Sequence, residues 1–547
     1  MQEDTVWVNR IVYNAATQAI ELSFDFALTP RSAHFPAMAT FSFLLATFPK
    51  PAEPFRSGLQ RYYNIHPQIY ARENRIHDQG AWMPFISDLA AIPNVADFGI
   101  KFQEGGGNAS ESRWMNAHGV DILPYIEPGL MHWSLPKGMQ PTFSNLNRTV
   151  HDCARTGTYG TGCDGGSCVV TCKQIVADAM VDETGRWIYR PENRAWNTGA
   201  VFYTNLEMDT VGSGGASRAA DQLNAVQDAY REAIEGRYLI NGCYIDSSTA
   251  GYTLFNYAPK ALKITRHPPV FDAAGRAVVL GAQPLFSFLN AVSRLMHSRG
   301  MSLMGNGLWT QSPMQLPGVF DIAGTETNWQ APGTAAFQPP HPASLAFNRA
   351  MAGSGPYLYL MDTDFSTWTK ERTAMYFQIC LAYGFWPSFF SANAATAVYF
   401  KNASLYERDR PIFKQFVPVL KAINTAGWEP LRHAALVGSP QPEADVVFVE
   451  RFGPELGRSV GSGTLLFWTV RNSGTAPCDG LSLHVDAGGL GLAAGPYQVD
   501  ELTHSVSWPT KSATLTVASG AQQAKLDMPS LPAGTTLVLR VRAQAVG

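Results

Sequence analysis

The sequence predicts an α/β protein: a (β/α)8 TIM-type barrel with an N-terminal strand-and-helix extension and a C-terminal antiparallel β-sandwich. Three observations predict it. Between about 79 and 432, short apolar runs alternate with amphipathic helical stripes, the pattern of parallel strands joined by crossover helices. Eight such runs can be counted, as a closed barrel of this type needs. After about 433 the period changes to short runs punctuated by Gly, Pro, Ser and Asn, without long helical stripes. A chain of 547 residues accommodates the resulting regions 1–78, 79–432 and 433–547.

In region 1–78, Val6–Tyr13 and Ala19–Phe26 read as strands around a turn at Asn14–Thr17. Thr40–Phe48 reads as a third strand and Phe55–Arg72 as a helix. So few strands do not make an independent sheet, so this region should lean on the next or end a larger β domain. In the middle region the strands are Ala96–Gln103, Val120–Ile126, Ala200–Leu206, Asn241–Ile245, Ser302–Met304, Val319–Ala323, Tyr357–Met361 and Trp386–Phe390. The helices are Ser110–His118, Ser217–Glu235, Leu285–Ser298, Leu345–Met351, Glu371–Tyr383 and Pro411–Asn424. The stripe Ala219, Leu223, Val226, Tyr230 and Ile234 marks the second of these. Gly300 and Gly384 stand where C-caps belong, and Pro411 where a first turn begins. Strands at Val446–Glu450, Gly463–Arg471, Leu481–Ala487, Gln498–Glu501, Thr514–Ala518 and Thr536–Arg542 complete the last region.

Composition excludes several classes. The chain is 46% hydrophobic and 16% charged, which is incompatible with disorder. Its net charge of -3, without a basic run, argues against a nucleic-acid backbone as partner. No apolar stretch reaches the roughly 20 residues of a membrane span. The many aromatic residues, 12% of the chain, suit a large core and also surfaces that stack on the apolar faces of sugars. The N-terminus, Met1 to Trp7, lacks the features of a signal peptide.

Four cysteines cluster: Cys153, Cys163, Cys168 and Cys172. Four allow three disulfide pairings; the nested one, Cys153 with Cys172 and Cys163 with Cys168, suits the Gly-rich excursion between them. Zinc is a rival, though only the Cys168/Cys172 end approaches a knuckle spacing, and free thiols are another. Disulfides would indicate a secreted, periplasmic or cell-surface protein; thiols leave a cytoplasmic one. The sequons at Asn108, Asn147 and Asn402 are weak signals.

A barrel of this type presents its reactive groups at the C-terminal strand ends. Carboxylates that directly follow apolar runs are Glu104, Glu127, Asp246, Glu326, Asp362 and Asp364. Such carboxylates often only cap the next helix, but a ring of them also suits glycoside hydrolysis, which needs an acid and a nucleophile or base. Asp246 ends the wholly apolar Gly242-Cys243-Tyr244-Ile245. Glu326 ends a run from Val319 and precedes Trp329, a candidate sugar platform. Of Asp362 and Asp364, one should be a turn or cap residue, and Glu104 beside Gly105–Gly107 belongs to a loop. No Gly-x-Ser-x-Gly elbow, His-Glu-x-x-His or phosphate-cradling loop competes.

The helix Phe55-Arg56-Ser57-Gly58-Leu59-Gln60-Arg61-Tyr62-Tyr63 and the following Gly80-Ala81-Trp82-Met83-Pro84-Phe85 resemble the start of barrel enzymes of the retaining α-glycosidase type. These are related broadly to α-galactosidases and endo-α-N-acetylgalactosaminidases; the resemblance covers about 40–547 in layout. In that group an Asp ending the fourth strand is the nucleophile and a carboxylic acid on a later strand is the acid/base. The resemblance thus implies Asp246 and Glu326 in these roles, facing each other about 5–5.5 Å apart, with a large β domain usual ahead of the barrel. Glu127, Tyr244, Asn306, Trp329 and Asp362 are the expected substrate contacts. Neither cofactor nor catalytic metal is expected, and the partner is a carbohydrate. The rivals are an inverting hydrolase using another carboxylate pair, a non-catalytic carbohydrate-binding or scaffold protein, and a lyase, which would want a basic groove for uronates.

Overall fold

The structure is a computed structural model. Outside its described residues lie 1–8, 25, 27–28, 30, 33–52, 72–75, 77, 86–87, 159–165, 195–196, 209–216, 309–315, 331–335, 395–397, 439–445, 455–459, 461–463, 507–511 and 544–547. The expected strand Thr40–Phe48 is therefore outside them. The chain is mixed α/β with several separate sheets and divides into two units. The first comprises Met1–Leu45, Pro124–Gly236 and Cys243–Gly307; the second comprises Ala46–Leu123, Arg237–Gly242 and Leu308–Gly547.

In the first unit, Asn9–Asn14 and Ala19–Phe24 form the expected antiparallel hairpin. The Gly242–Ile245 strand lies between Tyr125–Ile126, to which it is parallel, and Ser302–Asn306. The expected strand Val120–Ile126 is broken in two at Pro124, Asp121–Leu123 and Tyr125–Ile126, because proline has no N–H to give a ladder. Ala200–Leu206 is corrected more deeply. It belongs to Thr198–Tyr203, which pairs antiparallel with Leu130–Ser134 on one side and Tyr189–Asn193 on the other. This sheet packs with the helices Phe143–Thr156 and Gly166–Asp178 around Met131, Trp133, Leu146, Val150, Ile175 and Phe202. Residues 130–203 are thus an antiparallel insertion with its own core, not one barrel repeat. The helix Arg218–Gly236 buries Ala219, Gln222, Val226 and Ala233, while Ile234 is 61% exposed. Its inner stripe is therefore rotated from the apolar reading, for a reason found at the site. The helix expected over Leu285–Ser298 is present and runs Ala282–His297, beginning three residues earlier.

In the second unit, Ala81–Met83, Ile100–Glu104 and Asp121–Leu123 are successive parallel strands. Ala81–Met83 was not among the expected strands, and residues 95–98 form a 3-10 turn rather than the start of the next one. Ile322–Thr327, Tyr357–Met361 and Trp386–Phe389 form a second parallel set, and the Ser388 hydroxyl donates to the Trp82 carbonyl. The Lys370–Tyr383 helix stops at Gly384, whose φ of +67° suits a residue without Cβ. The Phe55–Arg72 helix is two, Pro54–Ile65 and Pro67–Tyr70, with Pro67 again the breaker. The last helix runs Ala403–Ala426 from an Asn402 cap. Pro411 is inside it, not in its first turn.

Beyond this helix the sheets among the described residues are antiparallel. One has the order Trp428–Glu429, Val447–Phe452, Leu466–Asn472, Thr536–Ala543, Gly495–Glu501, Ser512–Val517; the other has Ala434–Val437, Ser482–Asp486, Gln523–Asp527. Val449, Trp468, Leu483, Val485, Val499 and Leu539, drawn from both sheets, share one core. Among the described residues no helix is long and apolar enough to cross a membrane.

Candidate active site

Two parallel strand ends build the site in the first unit. Tyr244 lies opposite Tyr125 and Ile245 opposite Ile126, and the Asp246 N–H donates to the Ile126 carbonyl at 2.9 Å. The residues that leave these strands side by side are therefore Glu127 and Asp246. Gly242–Ile245 is buried throughout, so the carboxylate starts at the edge of a rigid apolar element.

Asp246 is half-buried and richly hydrogen-bonded. Its Oδ2 accepts from the Tyr125 hydroxyl at 2.7 Å. Its Oδ1 accepts from Asn306 Nδ2 at 2.7 Å and from the Ser247 N–H at 2.6 Å, with the Tyr244 hydroxyl further off at 3.5 Å. Hydrogen bonds to an ionised group contribute about 1.5–3 kcal/mol each, so three close ones fix the carboxylate in place. Ser247 has φ +49°, a left-handed conformation uncommon for a residue with a side chain. In that conformation its N–H reaches Asp246 while its hydroxyl donates to Glu127 Oε1 at 3.0 Å.

Glu127 is held from every side. His132 Nε2 lies 2.8 Å from its Oε2, its N–H donates to Gln222 Oε1 at 3.2 Å, and its carbonyl accepts from the Arg218 guanidinium at 2.5 Å. This contact is why Gln222 occupies the buried face of its helix. Burial pushes the Glu127 carboxyl up. Hydrogen bonds from His132 and Ser247 and the charges of His132 and Arg218 outweigh burial and leave it below the usual carboxylate range. The other nitrogen of His132, Nδ1, lies 3.0 Å from Glu192 Oε2, which also accepts from Asn197 Nδ2 at 2.7 Å.

The structure therefore brings together four expected site residues: Asp246, Glu127, Tyr244 and Asn306. It adds Tyr125, Ser247, His132, Glu192 and Arg218, which the sequence reading missed. One signal was available for His132. Met131, Trp133 and Leu135 alternate into the insertion core, so His132 lies on the opposite, polar face of the same strand, as the period of two requires.

Glu326 and Asp362 belong to the second unit, at the ends of neighbouring parallel strands; the Asp362 N–H donates to the Thr327 carbonyl at 2.7 Å. Both are half-buried. Asp364 is the turn residue of its pair, accepting the Ser366 N–H at 2.9 Å. Glu104 is buried and accepts from Trp82 Nε1 at 2.9 Å. Trp329 is a correction. It is 1% exposed, with Tyr359 and Tyr376 edge-on at 5.4 and 4.9 Å, so its indole is a core ring here and presents no open face for a sugar.

Cys153 and Cys172 form a disulfide, the outer pair of the nested expectation. It joins two helices of the insertion rather than a loop, and its sulfurs lie in the insertion core. These two residues are thereby unavailable as zinc thiolates. The expected inner pair rests on Cys163, which lies outside the described residues. Among the described residues no group of three or more His, Cys, Asp or Glu side chains could hold a metal ion.

No family model matches the chain, and no curated protein matches it in sequence. Among solved structures it is similar to the glycoside hydrolase domain of PelA from Pseudomonas aeruginosa, at 13% identity over 58% of this chain and 95% of that one, with a TM-score of 0.34. It is similar to the α-N-acetylgalactosaminidase NagBb from Bifidobacterium bifidum in its GalNAc complex, at 10% identity over 76% and 61%, with a TM-score of 0.38. It is also similar to a debranching enzyme from Nostoc punctiforme, at 12% identity over 81% and 86%, with a TM-score of 0.39.

Proposed function

We propose that this chain is a glycoside hydrolase that cleaves an α-glycosidic bond in an oligosaccharide, polysaccharide or glycoconjugate with retention of configuration. Asp246 is the nucleophile and Glu326 the acid/base. Region 79–432 is then a closed (β/α)8 barrel, region 433–547 a β-sandwich, and region 1–78 an extension of the barrel or the tail of a further β domain. The Cys153–Cys172 disulfide supports an exported location.

The observation that carries the reading is the set of neutral donors on Asp246: Tyr125 hydroxyl, Asn306 amide and Ser247 N–H. They hold the carboxylate in one orientation at a strand end, as in-line attack on an anomeric carbon requires. An acid/base needs the opposite, a carboxyl that can hold a proton near neutral pH. Glu127, kept below the usual range, is unsuited to that; Glu326 takes the role in this reading from its place at the end of a later parallel strand. In the first half-reaction the Asp246 carboxylate oxygen bonds to the anomeric carbon while the glycosidic bond breaks and Glu326 protonates the leaving oxygen. In the second, Glu326 takes a proton from water as water displaces Asp246. Glu127, Tyr244, Asn306 and Asp362 are the further substrate contacts of this reading.

The reading is tested with a panel of aryl α-glycosides. Proton NMR of the first-formed sugar should show the α anomer; a β anomer would assign the inverting alternative. Glu326→Gln should still glycosylate on substrates with good leaving groups and regain turnover with azide. A wild type inactive on the whole panel would leave a carbohydrate-binding role.

A further inference from the structure

The antiparallel insertion 130–203 sends His132 to the Asp246 site, where its ring sits between two carboxylates. His132 Nε2 lies 2.8 Å from Glu127 and Nδ1 lies 3.0 Å from Glu192. A neutral imidazole has one donor nitrogen and one acceptor, and would set its lone pair against a carboxylate oxygen. The imidazolium, with two donors, satisfies both. From this the geometry points to His132 as a positioning residue that acts through Glu127 and Ser247 on Asp246. This inference rests on the glycosidase reading for its kinetic consequence.

The relay is continuous. His132 holds Glu127 Oε2, Glu127 Oε1 holds the Ser247 hydroxyl, and Ser247 in its left-handed conformation gives its N–H to Asp246 Oδ1. Loss of the first link frees Glu127 to turn and removes the bond that keeps Ser247 in a costly backbone state. The insertion is built to aim this ring. Met131, Trp133 and the Cys153–Cys172 sulfurs anchor one face of the strand in the core. On the other face Ser134 donates to Asn197 at 2.7 Å, and Asn197 donates to Glu192 at 2.7 Å.

The charged groups that face His132 are Glu127 and Glu192. Behind them are Arg218, on the Glu127 carbonyl, and Arg190, 3.8 Å from Glu192. Burial works against charge on the ring, but the bonds and charges of both carboxylates outweigh it and raise its pKa above the ordinary 6.5. For a raised group the stabilisation is complete below 6.5 and is lost as pH rises through the folded value. The relay should therefore be complete below 6.5 and open as pH rises through the folded value above it.

The test uses the full chain labelled at histidine 13Cε1, with the His132 signal assigned by its loss in His132→Gln. Its midpoint should lie above 6.5, and Glu192→Gln, which keeps the ring and its packing, should lower it by about one unit. A wild-type midpoint at or below 6.5, or one unmoved in Glu192→Gln, overturns the relay. On aryl α-glycosides, His132→Gln should lose about 100-fold in kcat with KM little changed, and Glu192→Gln should bring the alkaline limb of the rate profile to lower pH. Wild-type kcat in a folded His132→Gln overturns it too. If wild type turns over no glycoside while His132 titrates as stated, the glycosidase reading fails and the relay stands.

Discussion

Two carboxylates, one in each unit, show what distinguishes a held charge from a spent one. Glu450, in the second unit, is buried in a strand and takes both arms of the Arg56 guanidinium at 2.9 and 2.5 Å, plus Trp428 Nε1 at 2.9 Å. Arg432 lies 3.9 Å away. Asp246, in the first unit, has as many bonds, but its close donors are hydroxyl and amide groups and it stands half-exposed at a strand end. Arginines cancel the Glu450 charge, which serves to join chain segments far apart in sequence. The hydroxyl and amide donors on Asp246 aim its carboxylate at the strand end. Number of partners does not separate structure from chemistry; the charge of the partners and the exposure of the acid do.

The largest test of this contrast is Asp246→Asn. It should cost several decades of rate, because covalent catalysis then has no attacking group. Near wild-type turnover would move the nucleophile to Glu127 or Asp362. Glu450→Gln should do the reverse. It leaves Arg56 buried opposite a neutral amide, a change that costs about 3–5 kcal/mol, seen in urea unfolding, with kcat preserved in the protein that remains folded. Equal stability in the two variants would break the comparison.

Replacing Cys153 and Cys172 by Ser should come next. Their separation of 19 residues gives a loss of about 3 kcal/mol on the chain-entropy view. Hydrogen exchange should show it in the insertion first, since the sulfurs sit in that core. Loss confined to the C-terminal sheets would contradict this.

The smallest effect is on pH dependence. The Glu450 pKa is pushed up by burial but drawn down further by Arg56, Arg432 and Trp428, to below the ordinary 4.5. Its contribution is complete above 4.5 and falls away as pH drops through the folded value. Asp178 is a third case. It is buried with one backbone donor, Arg218 N–H at 2.7 Å, and burial raises it from 3.8 to about 6. Its contribution is complete below 3.8 and is lost as pH rises through about 6. Asp178→Asn should therefore flatten the stability curve between about pH 4 and 6, read by calorimetry. An unchanged slope would show that Asp178 is better solvated than its burial implies.

Parts of this molecule were legible in the chain because local pattern decides them. Tyr357–Met361 was read to the residue, since five apolar residues between Gly355 and a polar turn have one local solution. The helix expected over Glu371–Tyr383, with its Gly384 stop, and the strand expected over Asn241–Ile245, with the Asp246 that ends it, agree with the structure to within one residue. The outer cysteine pair was expected among alternatives. Missed elements are those whose pattern is overridden from a distance. Pro411 suits a helix start by its local chemistry, yet the helix runs through it from Ala403 to Ala426. Ile234 was counted as buried because it is apolar, but Gln222 holds that face through its bond to the Glu127 backbone. Trp329 looked like a platform beside Glu326 and is a core ring.

By itself, then, the sequence determined that an apolar strand ends in Asp246, that carboxylates follow several other strands, and that two distant cysteines bracket an excursion. Those facts depend on composition within a few residues. Only the tertiary structure decided that Glu127 stands beside Asp246, that Ser247 bridges them, and that His132 and Glu192 come from an antiparallel insertion to set the charge there. These residues are up to 120 positions apart in sequence. Hydrogen bonds and charge interactions act over a few ångströms in space, and no periodicity in the chain records which side chains the fold will bring within that reach.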